Sequence, residues 1–196
     1  MFSEYQENLK KYLYVCSGKD VLEIGPLDGR ATTVIDFFNP KSVTLVEPNP
    51  TSLKILNDKF INHQIFGEDV YHYLESTKKF DVVVCNGVLY HLHSPMYLLE
   101  LIVNRTDPDI LIIESIFLDN VKTTGALFGE EIDNIQGNRQ VLNNWKSTGI
   151  RLMFTSSLLK LAMKNLGFEL VKEEEYNDKF DLSSKKKSNI FMFKKI

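Results

Sequence analysis

The stretch Val21-Leu22-Glu23-Ile24-Gly25-Pro26-Leu27-Asp28-Gly29-Arg30 decides the fold. It is an apolar run that ends in an acid, passes through a glycine turn and opens onto a helical pattern carried by Thr33, Ile35 and Phe38, which Asn39-Pro40 closes. A short continuous apolar run bounded by glycine is how a strand buried on both faces of a parallel sheet reads, and glycine lets the backbone turn tightly against a ligand. A strand, loop and helix in that order place backbone N–H groups around a cavity at the helix start.

Outward from this stretch the pattern repeats. Ser42 to Glu47 reads as a second strand stopped by Pro48-Asn49-Pro50, and Leu53, Leu56 and Phe60 mark one face of a helix over about 51–60. His63 to Phe66 is a short third strand, after which Asp69 caps a helical turn through Tyr73-Leu74. Phe80 to Cys85 is the fourth strand, Ser94-Pro95 opens a helix to about residue 104, and Asp109 to Glu114 is the fifth strand. Strands alternating with helices at this spacing imply a parallel α/β sheet covered on both faces, with ligands bound outside the carboxyl ends of the strands. Before all of this, Tyr5, Leu9, Tyr12 and Leu13 recur at helical spacing as a packing helix.

Residues 115–154 break the rhythm, with Gly125, Gly129, Gly137 and Gly149 scattered among polar and aromatic residues. The segment is too long for an ordinary loop and reads as a lid or substrate-facing insertion within one domain spanning 1–196. A helix resumes at Thr155 and ends at Gly167, and two final strands, Phe168 to Tyr176 and Asn189 to Lys195, are joined too closely for a crossover helix. They are expected to form an antiparallel hairpin on the sheet edge.

With 43% hydrophobic and 25% charged residues and a net charge of −3, the chain has the composition of a globular protein and no global positive field to hold a long nucleic acid. That disfavours, without excluding, a nucleic-acid partner. Cys16 and Cys85 stand far apart, which suits a reducing, cytoplasmic setting. The acids in Met1 to Glu7 are unlike a signal peptide, and no apolar run reaches the roughly 18 residues of a membrane span.

The chemistry is concentrated in Glu23-x-Gly25-x-x-x-Gly29 and in Glu47, which stands 22 residues after Gly25 at the end of the second strand. An acid there can accept hydrogen bonds from both hydroxyls of a ribose, and Glu23 is available for a cationic or amine group. Leu27 replaces the glycine that a pyrophosphate-binding G-x-G-x-x-G loop needs, and no G-x-x-x-x-G-K-[ST] pattern is present. A nucleoside without phosphates suits this loop better.

On these residues the chain resembles the class I S-adenosylmethionine-dependent methyltransferases. Val21 to Gly29 is similar to the first motif of that family, Glu47 to its ribose-binding acid, Asp69 with Val70 to its adenine-side acid, and Phe80 to Leu92 to its fourth motif. The resemblance implies a Rossmann-like, doubly wound, seven-stranded sheet with a terminal antiparallel hairpin, and S-adenosylmethionine as cofactor. It also implies that Glu23, Gly25, Leu27, Gly29, Glu47, Asp69, Val70 and Asn86 line the cofactor, Asn86 through its backbone carbonyl. Gly87 to Pro95 with Ile113-Glu114-Ser115 is similar to a segment of the tRNA wobble-uridine carboxymethyltransferases and their small-molecule relatives.

Methyl transfer from a sulfonium is an in-line displacement that chiefly needs an aligned nucleophile and a place for its proton. His91 and His93 follow the fourth strand, and imidazole can act as a base at neutral pH. The other reading of either histidine is a cap on the next helix or packing in the pocket wall. Tyr90 is placed to position the acceptor or face the sulfonium. Asp81, at the wrong end of its strand, reads as structural, and Cys85 as a core thiol. In the insertion Arg139, Trp145 and Arg151 are the candidates for an acidic or aromatic acceptor, the other reading being surface charges and a packing aromatic. Glu130, Glu131 and Asp133 are too loosely spaced, with no histidine nearby, to suggest a metal. The expected activity is methylation of an oxygen or nitrogen on a small molecule. The alternatives are tRNA methylation or carboxymethylation, and a catalytically idle subunit of the same fold.

Overall fold

The computed structural model describes residues 2–117, 126–129, 151–176 and 187–196. Five strands are parallel: β1 (Asp20–Ile24), β2 (Ser42–Val46), β3 (Gln64–Phe66), β4 (Val82–Asn86) and β5 (Ile110–Phe117). Two further strands, β8 (Phe168–Tyr176) and β9 (Lys187–Lys195), pair antiparallel with each other, and β9 pairs antiparallel with β5. The order across the seven-stranded sheet is β3-β2-β1-β4-β5-β9-β8. Strand order reverses at β1 and β4, which is where an open parallel sheet binds its ligand. The terminal hairpin therefore lies where the short 176-to-189 connection placed it.

Helices cover both faces. α1 (Glu4–Leu13), α2 (Arg30–Phe37) and α3 (Pro50–Lys59) pack Leu9, Tyr12, Ala31, Val34, Ile35 and Leu56 against Val21, Leu45, Val84 and Ile112. On the other face α4 (Val70–Glu75), α5 (Pro95–Leu101) and α6 (Ser156–Asn165) bury Leu74, Leu98, Leu99, Leu159 and Met163 against Leu22, Val83 and Ile113. Four helices start where a polar side chain takes up orphan N–H groups: Ser3 and Gln6 form a reciprocal capping box on α1, Asn49 caps α3 ahead of Pro50, Asp69 caps α4 and Thr155 caps α6, whereas α2 follows Gly29 and α5 follows Ser94 without a side-chain cap. Among the described residues no helix is long and apolar enough to cross a membrane.

Strand ends shift by one or two residues, β4 running over Val82–Asn86 and not Phe80 to Cys85 and β9 starting at Lys187, and three boundaries differ by more. α5 ends at Leu101 and widens into a π turn over Ile102–Thr106, where the Thr106 hydroxyl donates to the Ile102 carbonyl at 2.7 Å. β5 runs three residues beyond Glu114, to Phe117, because β9 pairs with it along its whole length. The first residues of the expected 115–154 insertion are therefore strand, and within the rest β6 (Ala126–Gly129) pairs antiparallel with β7 (Arg151–Phe154) as a separate ribbon.

Candidate active site

The register of the parallel strands sets four positions at one level. Ile24 stands opposite Val46 and Cys85, and Asn86 opposite Glu114. The ladder continues past the strand ends, with Gly25 N–H donating to the Val46 carbonyl at 3.0 Å and Gly87 N–H to the Glu114 carbonyl at 3.0 Å. Glu47, Gly25, Asn86 and Glu114 thus form a row across β2, β1, β4 and β5. Side chains at paired positions of parallel strands share a face. Glu47, Asn86 and Glu114 stand two residues beyond Leu45, Val84 and Ile112, on the face covered by α1 and α2.

The acids in this row are buried where acids are costly to bury. Glu47 is 5% exposed; its two oxygens accept the Leu27 N–H at 3.1 Å and the Asn49 N–H at 2.9 Å, so it joins the glycine loop to the start of α3. Burial raises its pKa, and these two backbone N–H groups oppose the rise. Glu23, one pleat below Gly25, is fully buried. Its Oε2 accepts the Thr32 hydroxyl at 2.7 Å, while Oε1 has no hydrogen-bond partner. Burial pushes its carboxyl up to about 7, against the Thr32 hydrogen bond. The carboxylate expected to lie open to a cation is thus turned under α2, with one oxygen committed to the fold. The reason is the strand period, which puts Glu23 on the same face as Val21.

The glycine loop takes left-handed backbone at Gly25 (φ 73°), at Leu27 (φ 53°) and at Gly29 (φ 81°). A Cβ at Gly25 would meet the Val88 Cγ2 at 2.3 Å, so the bare backbone lets the loop after β4 close on the loop after β1. Leu27 keeps the conformation that glycine usually supplies, and its side chain is 57% exposed. Asp69 is exposed and accepts the Tyr71 N–H at 2.8 Å, with Val70 buried behind it.

After β4 the chain turns through Gly87 (φ 70°) into a short 3-10 turn, Leu89–His91. Tyr90 and His91 are half-buried with ring centroids 4.1 Å apart, whereas His93 is exposed. Asn86 donates through Nδ2 to the Tyr5 hydroxyl at 2.5 Å, and its buried Oδ1 has no partner. The N-terminal helix read only as packing thus reaches the row through Tyr5. Gln6 ties the same helix to the first turn of α2 by donating to the Arg30 carbonyl at 3.1 Å.

Cys85 is fully buried with its thiol pushed up to about 12 by burial, and Asp81 accepts the Asp20 N–H at 2.8 Å at the amino end of the sheet; both are structural, as read. Arg139 and Trp145 lie outside the described residues, as do Glu130, Glu131 and Asp133, while Arg151 opens β7. Sequence reading missed Tyr5, Thr32 and Glu114 as members of the site. Glu114 had a signal: like Glu23 and Glu47, it is an acid at the end of an apolar run.

A doubly wound sheet of this order, with a glycine loop after β1 and an acid after β2, defines a class I S-adenosylmethionine-dependent methyltransferase. The chain belongs to the methyltransferase-domain family, whose profile matches residues 1–173. It is 35% identical over 108 residues to a tRNA U34 carboxymethyltransferase of Nautilia profundicola, a match covering 49% of this chain and 35% of that protein. The chain therefore spans about a third of the length of this relative. Among solved structures it is similar to the N-terminal domain of EvdMO1 with SAH bound (TM-score 0.70, 18% identity, 99% of this chain and 82% of that one). It is also similar to a Burkholderia thailandensis 1,6-didemethyltoxoflavin-N1-methyltransferase (TM-score 0.69, 16% identity, 98% and 78% of the two chains). These likenesses concern the fold.

Proposed function

We propose that this methyltransferase moves the methyl group of S-adenosylmethionine to an oxygen or nitrogen of a small molecule, the cofactor lying along the row from Glu47 to Asn86. The observation that carries the reading is this row itself. A buried carboxylate at one end and an amide with an unpartnered buried oxygen at the other are two strands apart, about 10 Å at ordinary strand spacing.

The residues fit the group. Each carboxylate oxygen of Glu47 has a lone pair beyond the one given to a backbone N–H, enough to accept two ribose hydroxyls. Glu23 Oε1 and Asn86 Oδ1 are acceptors without donors, which suits the ammonium of the methionine moiety. The exposed Leu27 side chain offers an apolar cover, and Asp69 and Val70 at the start of α4 would border the adenine. When bound, the cofactor supplies an electrophilic methyl on a positively charged sulfur. The protein's part is to orient the acceptor at Tyr90 and His91, with His91 able to take a proton. His93, exposed, would act only on a larger acceptor. Arg139, Trp145 and Arg151 are assigned to the outer acceptor contacts within the 115–154 segment, as part of one domain.

The carboxymethyltransferase relative favours a second reading, tRNA modification. The net charge of −3 supports the small-molecule reading, because phosphate binding rests on Lys and Arg. Incubation with methyl-labelled S-adenosylmethionine, and in parallel with bulk tRNA and with a low-molecular-weight cell extract, separates the two. Label is expected in the small-molecule fraction; label in tRNA alone would overturn the small-molecule reading.

A further inference from the structure

Glu114 is 6% exposed, at the carboxyl end of β5 and next to Asn86 in the row. It closes the apolar run of β5, on the same face as the core residue Ile112. Its place relative to Gly87 is informative. A Cβ on Gly87 would lie 3.6 Å from the Glu114 Oε2 and 3.6 Å from the Tyr90 hydroxyl. Because Gly87 has φ 70° and no side chain, the carboxylate and the phenol both border bare backbone at the turn that leads from β4 into Tyr90 and His91. Glu114 is one strand farther from Glu47 than Asn86 is, so it lies beyond the methionine end proposed for the row and beside Tyr90, to which the acceptor is assigned above.

We infer that Glu114 is a specificity-determining residue for the acceptor: with the Tyr90 hydroxyl it receives a nucleophile that presents an N–H or O–H donor, an amine above all, and disfavours one whose reacting atom is part of an anion. This rests on the cofactor reading above. An ionised carboxylate accepts hydrogen bonds only, and a phenol can both accept and donate, so the pair orients a donor-bearing nitrogen or oxygen while leaving its lone pair free to face the methyl carbon.

The test needs no knowledge of the natural acceptor. Sinefungin is an analogue of the cofactor in which a carbon bearing an ammonium replaces the sulfonium and its methyl, so it presents N–H donors at the transfer position; S-adenosylhomocysteine presents none there. Calorimetric titration of the whole protein with both is expected to show tighter binding of sinefungin. In Glu114→Gln that preference should fall about tenfold or more, the usual effect of losing a charge-assisted hydrogen bond, with S-adenosylhomocysteine affinity changed less than about threefold. Glu114→Asp, which keeps the charge but withdraws it, should fall between the two and guards against a folding defect in Glu114→Gln. Equal affinity for both ligands in the wild type, or a preference that survives Glu114→Gln, overturns the assignment. Failure of the wild type to bind S-adenosylhomocysteine contradicts the cofactor reading itself and removes this inference with it.

Discussion

The two ends of the parallel strands treat their acids in opposite ways. At the amino ends Asp20, Asp81, Asp107 and Asp109 line a shallow pocket together with Lys79 and Phe80. There Lys41 and Ser42 each hold Asp20 at 2.6 Å, Lys79 holds Asp107 at 2.6 Å, and Lys195 pairs with the same carboxylate. Asp20 and Asp107 are half-exposed and matched, and those partners hold their two carboxyls below the usual range. At the carboxyl ends Glu23, Glu47 and Glu114 are at most 6% exposed. Glu23 is held by a hydroxyl and Glu47 by backbone N–H groups, and the carboxyls of both are pushed up by burial. One end is an electrostatically closed surface. The other retains acceptor capacity at a cost in folding energy, which is what a binding site for a cationic cofactor requires.

Substitutions at the two ends should therefore behave differently. The largest effect is expected for Glu47→Ala, which should weaken S-adenosylhomocysteine binding by about 1–3 kcal/mol by calorimetry, since it removes a charged partner of the ribose and releases the Leu27 and Asn49 N–H groups. An unchanged dissociation constant would move the ribose elsewhere.

Next comes Glu23→Gln. Because folding raises this carboxyl from 4.5 to about 7, the native state binds the proton more tightly than the unfolded chain. Its contribution to stability is greatest below the unfolded value and is lost as pH rises through about 7. The variant, which cannot ionise, should be more stable than the wild type at pH 8 by on the order of 2 kcal/mol, and the gap should narrow sharply toward pH 5. Denaturant melts at both pH values check this, and a gap independent of pH would contradict it.

Tyr5→Phe removes the hydroxyl that receives Asn86 Nδ2 and should cost about 1 kcal/mol of stability in the same melts, and no loss would mean that α1 is held by packing alone. Least of all should come from Lys79→Ala at the amino end, whose ion pair joins two well-exposed side chains: stability within experimental error, any residue of an effect vanishing in salt, and cofactor binding untouched.

Much of this contrast was legible in the sequence, for a physical reason. A strand buried on both faces has to be apolar, so Val21 to Ile24, Val43 to Val46 and Val82 to Cys85 announce themselves, and acids at their ends stand out. Capping chemistry is equally local, which is why Asn49, Asp69 and Thr155 start helices where expected. Contacts between distant parts of the chain leave no local trace. Nothing in Tyr5 signals that its hydroxyl meets Asn86, 81 positions on, and nothing in Thr32 signals that it closes on Glu23. The extension of β5 to Phe117 comes from pairing with β9, where Phe117 stands opposite Lys187, a partner that strand periodicity alone cannot supply. Glu114 is different, since it carries the same signal as Glu23 and Glu47, an acid closing an apolar run, and register alone was needed to set it in the row.

The reading stands or falls on whether the row across β2, β1 and β4, from Glu47 to Asn86, holds S-adenosylmethionine. Calorimetric titration of the wild-type protein with S-adenosylhomocysteine tests it most directly. Saturable binding of one ligand per chain is expected, weakened in Glu47→Ala and unchanged in Lys79→Ala. No binding by the folded wild type, or binding that Lys79→Ala weakens and Glu47→Ala does not, would contradict it.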